Sequence, residues 1–107
     1  MAETFDRLLL NGVTSGTGPE DKVGAYDFYE GSCEWSAGVS AGVVTFEWAP
    51  NPGYAGTWAV LGTQNFGANS ITKAIYQACG GAIRARVSTP VVGGTVTVRR
   101  SLTVSDK

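Results

Sequence analysis

The side chains that could do chemistry in this chain are few. None of the 107 residues is a histidine, so a serine or cysteine nucleophile has no imidazole to activate it and the usual triad is closed off. Cys33 and Cys79 stand far apart with no Cys-x-x-Cys spacing, which leaves zinc without its usual ligand set. They read as two small buried hydrophobes, with a disulfide as the alternative in an oxidising compartment. Glu34 and Glu47 could in principle supply the acid and base of a glycoside hydrolase. Each alternates with apolar neighbours, so solvated outer faces of strands are expected instead. Gly80-Gly81 and Gly93-Gly94 read as hairpin turns, since neither belongs to a phosphate-binding motif between a strand and a helix. Arg84, Arg86 and Arg99 form a basic stripe, but a formal net charge of −1 does not suit a general phosphate binder. The expectation is therefore a chain that is no enzyme, holds no metal or cofactor, and has no nucleic-acid partner.

The elements that would position these residues are short strands. CEWSAGV places Cys33, Trp35 and Ala37 on one face, and VVTFEW places Val44, Phe46 and Trp48 on one face with Thr45 and Glu47 on the other. Two prolines around Asn51 break that strand by removing ladder donors, and TWAVLG resumes with Trp58 and Val60 on one side. The pair reads as a β-hairpin with Asn51–Gly56 at its tip. AIRARVS turns Ile83, Ala85 and Val87 inward and Arg84 and Arg86 outward, and TVTVRR opposes Val96 and Val98 to Thr95, Thr97 and Arg99.

Three places resist this reading. LLLNGVT looks like a short strand ending at Asn11-Gly12, a turn signal. In ITKAIYQACGG, Ile71, Ala74, Ile75 and Ala78 fit a helical period, yet the strands on either side favour a strand. Arg100 shares the parity of Val96 and Val98, so the last strand either bulges there or leaves the sheet. The second choice leaves residues 1–7 and 101–107 as candidate arms.

Turn signals recur roughly every ten residues, which fits an all-β antiparallel sandwich, jelly-roll-like or immunoglobulin-like, of about seven to eight strands. A chain of 107 residues fits one domain, 1–107, large enough to bury a core. No run approaches the ~18 apolar residues of a membrane span, and MAETFDRLLL has acids where a signal peptide carries lysines. No membrane partner and a cytosolic site of synthesis are expected. Charge is lopsided: eight acidic residues against two basic up to position 48, then six basic against one acidic. Cross-strand pairing inside the sheets explains this most simply, and complementary faces between subunits are the alternative.

Three tryptophans and four tyrosines invite a sugar-binding reading. Trp35, Trp48 and Trp58 all sit on the apolar parity of their strands, so core packing is expected, and Tyr54 in the NPGYAG loop is the better exposed contact. Asn51, Pro52 and Tyr54 at the tip, with Arg84, Arg86, Arg99 and Arg100, are the candidate interface residues.

The run GVVTFEWAPNPGYAGTWAVLGT, followed by IRARVS and then GGTVTVRRSL, resembles small β-sandwich structural proteins of tailed bacteriophages, of the head decoration or cement type. LLLNGVTSGTGPEDKVGAYDFYEGSCEWSAGV matches their leader strand, glycine-rich loop and first sheet strands, so the resemblance runs from about Leu8 to Leu102. It departs in two places: NPGYAG stands where an Asp-Gly-rich turn is usual, and the two cysteines fall outside the pattern. The resemblance implies a virion component on the capsid surface, assembled in the host cytoplasm, with the major capsid protein and sister subunits as partners and a homotrimer as the usual oligomer. A tail or fibre module that recognises host glycans is the alternative.

Overall fold

The computed structural model describes residues 3–24, 27–77 and 80–104. Alternating apolar and polar residues, rich in valine, threonine and aromatics, build eight strands and no helix among them. They are β1 (Glu3–Val13), β2 (Asp21–Lys22), β3 (Phe28–Trp35), β4 (Ala41–Ala49), β5 (Ala59–Asn65), β6 (Ser70–Gln77), β7 (Ala82–Val92) and β8 (Val96–Val104).

Their pairing follows one rule. β1 pairs with β8, β2 with β7, β3 with β6 and β4 with β5, all antiparallel, so the chain doubles back on itself as one long ribbon whose bend is the β4–β5 connection. The ribbon then rolls up, bringing β8 against β3 and β7 against β4. Two four-stranded sheets result, in the orders β1-β8-β3-β6 and β2-β7-β4-β5. This is the eight-stranded jelly roll, the first of the two sandwiches expected from the strand pattern.

The inward faces of both sheets form one core. Tyr29, Cys33 and Trp35 of β3 and Val96 and Val98 of β8 meet Val44 and Phe46 of β4 and Ile83 and Ala85 of β7. Phe46 stands at the centre, edge-on to Tyr29 with ring centroids 6.2 Å apart and tilted against Tyr76 at 5.6 Å. Gly31 is a glycine because Phe46 lies directly over it: a Cβ there would collide with the ring.

Two polar clasps tie the sheets together where the apolar core runs out. On the β5/β6 side, Trp35 Nε1 donates to Thr72 Oγ1 at 3.1 Å, Thr72 Oγ1 donates to Gln64 Oε1 at 2.7 Å, and Gln64 Nε2 donates to the Gly31 carbonyl at 3.0 Å. On the β1/β2 side, the carboxylate of Asp21 is 4% exposed and accepts from Arg7 Nη1 at 2.8 Å, Arg100 Nε at 3.3 Å and the Tyr29 hydroxyl at 3.3 Å. Asp21 is therefore a partner for three elements of the opposite sheet. Burial, then the charge of Asp21, pushes the Tyr29 phenol well above its ordinary range, which keeps it a neutral donor.

Several expectations change here. Asn11-Gly12 does not end β1; it makes a bulge inside it, with Gly12 at φ 59° and the register shifting between Leu10 and Val13. Of the candidate arms 1–7 and 101–107, Glu3–Arg7 and Ser101–Val104 belong to the sheet, pairing from Glu3 opposite Val104 to Arg7 opposite Arg100, and residues 1–2 and 105–107 lie outside the described residues. β8 neither bulges against β3 nor leaves the sheet at Arg100: the ladder runs unbroken, and Arg100 keeps its parity by pointing inward onto Asp21. β6 is a strand, as its neighbours required, but its isoleucines face solvent, with Ile71 68% and Ile75 64% exposed. Cys33 is a free thiol at the heart of the core, and Cys79 lies outside the described residues.

Candidate functional site

The connection between β4 and β5 does not stand clear of the sandwich. Pro50 and Pro52 fix the turn, Gly53 takes φ 77°, and residues 50–57 are exposed. Gly53 N donates to Glu20 Oε1 at 2.5 Å, which ties the tip to the segment before β2. The chain then folds back, and Trp58 lands on the outer face of the second sheet, over Ala49 and Ala82. Its indole N–H donates to the Tyr54 carbonyl at 3.1 Å, so ring and tip hold each other.

Beside that indole lies an ionic cluster built by register. Glu47 on β4 faces Arg84 on β7, with Thr45 opposite Arg86 one step along. The Arg84 guanidinium stacks over the Trp58 ring at 4.1 Å. Arg84 Nε donates to Glu47 Oε1 at 3.0 Å, and Arg86 donates to Oε2 through Nε at 3.1 Å and Nη2 at 2.9 Å. Burial alone would raise the Glu47 carboxyl, but hydrogen bonds from Arg86 and Arg84, with their charges, hold it below the usual range.

This geometry decides what the site can do. Both oxygens of Glu47 are occupied, so it is neither a free base nor, being ionised, a proton donor. Two guanidinium groups on one carboxylate leave a net positive charge on a rigid surface, with the Arg86 side chain 38% exposed. The exposed tip that carries Asn51, Pro52 and Tyr54 is joined to it through the Tyr54 carbonyl and the Trp58 ring. The arrangement is a charged surface in which one carboxylate is saturated by two guanidinium groups.

Of the seven candidate residues, Arg84 and Arg86 converge on Glu47, Tyr54 is joined to that cluster through Trp58, and Asn51 and Pro52 are exposed in the same tip as Tyr54. The other two lie elsewhere. Arg99 lies on the outer face of the first sheet, paired with Glu34 at 2.9 Å, and Arg100 is committed to the internal clasp, 11% exposed. Glu34 and Glu47 sit on different sheets, so they form no acid–base pair. Glu47 is also not solvated as expected, being 5% exposed under its two arginines. Trp58 leaves the core parity expected of it, because the side it shares with Val60 is the outer side. All three indole N–H groups are spent inside the molecule, that of Trp48 on the Gly80 carbonyl at 2.7 Å. Burial pushes the Cys33 thiol up to about 12, which makes it no nucleophile.

Neither Glu47 nor Trp58 was assigned to this cluster by periodicity. The available signal was Arg-x-Arg on one strand with a lone glutamate on the outer parity of another, which the jelly-roll register brings opposite.

No protein-family model matches the sequence, and no curated protein does. By structure the chain is similar to the SPBc2 prophage-derived protein YomS, with a TM-score of 0.67 and 14% identity, covering 96% of this chain and 95% of that one. It is also similar to a chain in the structure of infectious bursal disease virus strain Gx, with a TM-score of 0.54 and 6% identity, covering 99% of this chain and 33% of that one. The chain spans about a third of the length of that viral chain. At these identities the likeness is one of fold.

Proposed function

We propose that this chain is a non-enzymatic structural protein of a tailed-phage virion that decorates or cements the capsid shell, binding the major capsid protein and sister subunits. The observation that carries the reading is the end-to-end match of fold with a prophage-derived protein of the same extent. The likeness in fold to a chain in the structure of infectious bursal disease virus agrees with it. The exposed loop tip and the charged Glu47–Arg84–Arg86 surface support it, because Trp58 packs between them and gives a contact surface a fixed shape. That surface meets the shell, with Asn51, Pro52 and Tyr54 as the contacts that differ most from the resembling proteins.

A component that binds only the assembled shell stabilises it by linkage. Particles assembled without this protein are expected to rupture at lower temperature or lower indentation force than complete ones, and re-addition of the purified protein restores the threshold. Equal thresholds with and without it would remove the cement role. The glycan-binding alternative gains nothing from the structure: Trp35 and Trp58 are buried and Trp48 is partly buried, leaving Tyr54 as the exposed ring of the tip.

A further inference from the structure

A sandwich with open sheets has four edge strands, and each exposes backbone groups that can pair with another chain. Three of the four are blunted here. β2 is only two residues long, and the segment before it lies along β7, with Gly18 N on the Ala85 carbonyl and the Gly16 carbonyl on Val87 N. β1 is bulged twice, and β5 is bulged between Phe46 and Glu47 of its partner and carries Gly62. β6 has none of these backbone devices, and its outer face carries a single charge, Lys73. It pairs with β3 over eight residues with no shift of register and contains neither glycine nor proline. Its outer face reads Ile71, Lys73, Ile75, Gln77, with both isoleucines more than half exposed.

The charge pattern of β6 selects its partner. A second copy meeting this edge antiparallel across a two-fold axis normal to the sheet keeps outer residues opposite outer residues. Two such registers overlap seven residues. The one centred on Lys73 sets each Lys73 directly against its counterpart, and like charges opposite each other are destabilising. The register centred on Ala74 sets Lys73 against Ile75 of the second copy and Ile71 against Gln77. In that register Lys73, already 3.6 Å from its own Glu30, has beyond the facing Ile75 the Glu30 that Ile75 pairs with in its own chain. Of the two, this register alone keeps the lysines apart and points each toward a carboxylate of the other copy.

We infer that β6 is a self-association edge, through which two copies join their first sheets antiparallel about Ala74. The arrangement is a two-fold dimer, not the trimer implied by the sequence resemblance, and it rests on the edge itself and not on attachment to a shell. Sedimentation of the purified chain tests it with no capsid present, so its failure and a failure of shell binding are read separately. The unaltered chain is expected to sediment as a reversible dimer with roughly micromolar affinity, as a small interface allows. Ile75→Lys places lysine against Lys73 at two symmetric positions and is expected to weaken association about tenfold or more. The exchange Lys73→Glu with Ile75→Lys sets opposite charges across both positions and restores the dimer. Because both side chains are exposed, the thermal unfolding of each variant shows that the monomer is intact. A monomeric or trimeric unaltered chain, an Ile75→Lys dimer of unchanged affinity, or a double exchange that fails to restore pairing would each overturn the inference.

Discussion

Asp21→Ala removes one carboxylate that three side chains of the opposite sheet share. Arg7 is 45% exposed and can turn into water, but Arg100 is 11% exposed and the Tyr29 ring is fully buried, so neither can follow. Leaving a buried hydroxyl without a partner costs about 1–3 kcal/mol, and leaving a buried charge without its partner costs about 3–5 kcal/mol. The two penalties overlap in one site, so a loss of about 3–4 kcal/mol is expected. That is a large share of the roughly 5–15 kcal/mol that holds a domain folded. Urea unfolding followed by tryptophan fluorescence reads it as a fall in midpoint with unchanged slope. Glu34→Ala is the control, since it breaks an ion pair of similar length, Arg99 to Glu34 at 2.9 Å, in which both side chains are more than half exposed. That change should cost under about 1 kcal/mol. Equal losses for the two variants would refute the assignment of Asp21 as the clasp between the sheets.

Other outcomes follow from the same packing. Gly31→Ala drives a methyl into the Phe46 ring and is expected to cost about 1–3 kcal/mol or more by urea unfolding, while the added methyl at Gly53→Ala meets no atom and pays only the left-handed backbone, about 1–2 kcal/mol. Glu47 is held below its ordinary value, so the unfolded chain binds a proton there before the folded one does. Its contribution to stability is complete above the unfolded carboxylate range and fades as pH falls through the lower folded value. Glu47→Gln should therefore flatten the acid side of the stability profile while leaving stability lower at neutral pH. With its thiol at about 12 and no exposure, Cys33 should react with a maleimide only as fast as the protein unfolds; rapid labelling of Cys33 in the native chain, located by mass spectrometry, would contradict its placement.

Period-two alternation located most strands, because one face of each meets a common core: Ile83, Ala85 and Val87 turned inward and Arg84 and Arg86 outward, as their spacing required. It failed where a polar residue had a distant partner or an apolar residue had none. Arg100 looked like a bulge or the end of a strand because alternation cannot see Asp21, on a two-residue strand of the other sheet. Ile71 and Ile75 mimicked a helix because β6 is an edge with its isoleucines exposed. Glu47 looked solvated because the returning loop that covers its neighbours is long and carries no period of its own. The lopsided charge was legible: Glu47, Glu34 and Glu30 pair across strands with Arg84 and Arg86, Arg99, and Lys73, as cross-strand pairing expects. Asp21 departs from that rule by pairing between sheets.

Of the candidate interface, the tip residues were legible from the prolines and glycine that force a turn. The joining of that tip to Arg84 and Arg86 was not, since it depends on Trp58 folding outward onto Ala49 and Ala82.

The measurement that tests the central claim most directly is the number of copies of this chain per purified phage particle, taken by quantitative mass spectrometry against the most abundant shell protein. A decorating or cementing role predicts a ratio of order one to the shell protein. A ratio of a few per cent, or absence from the particles, would contradict it.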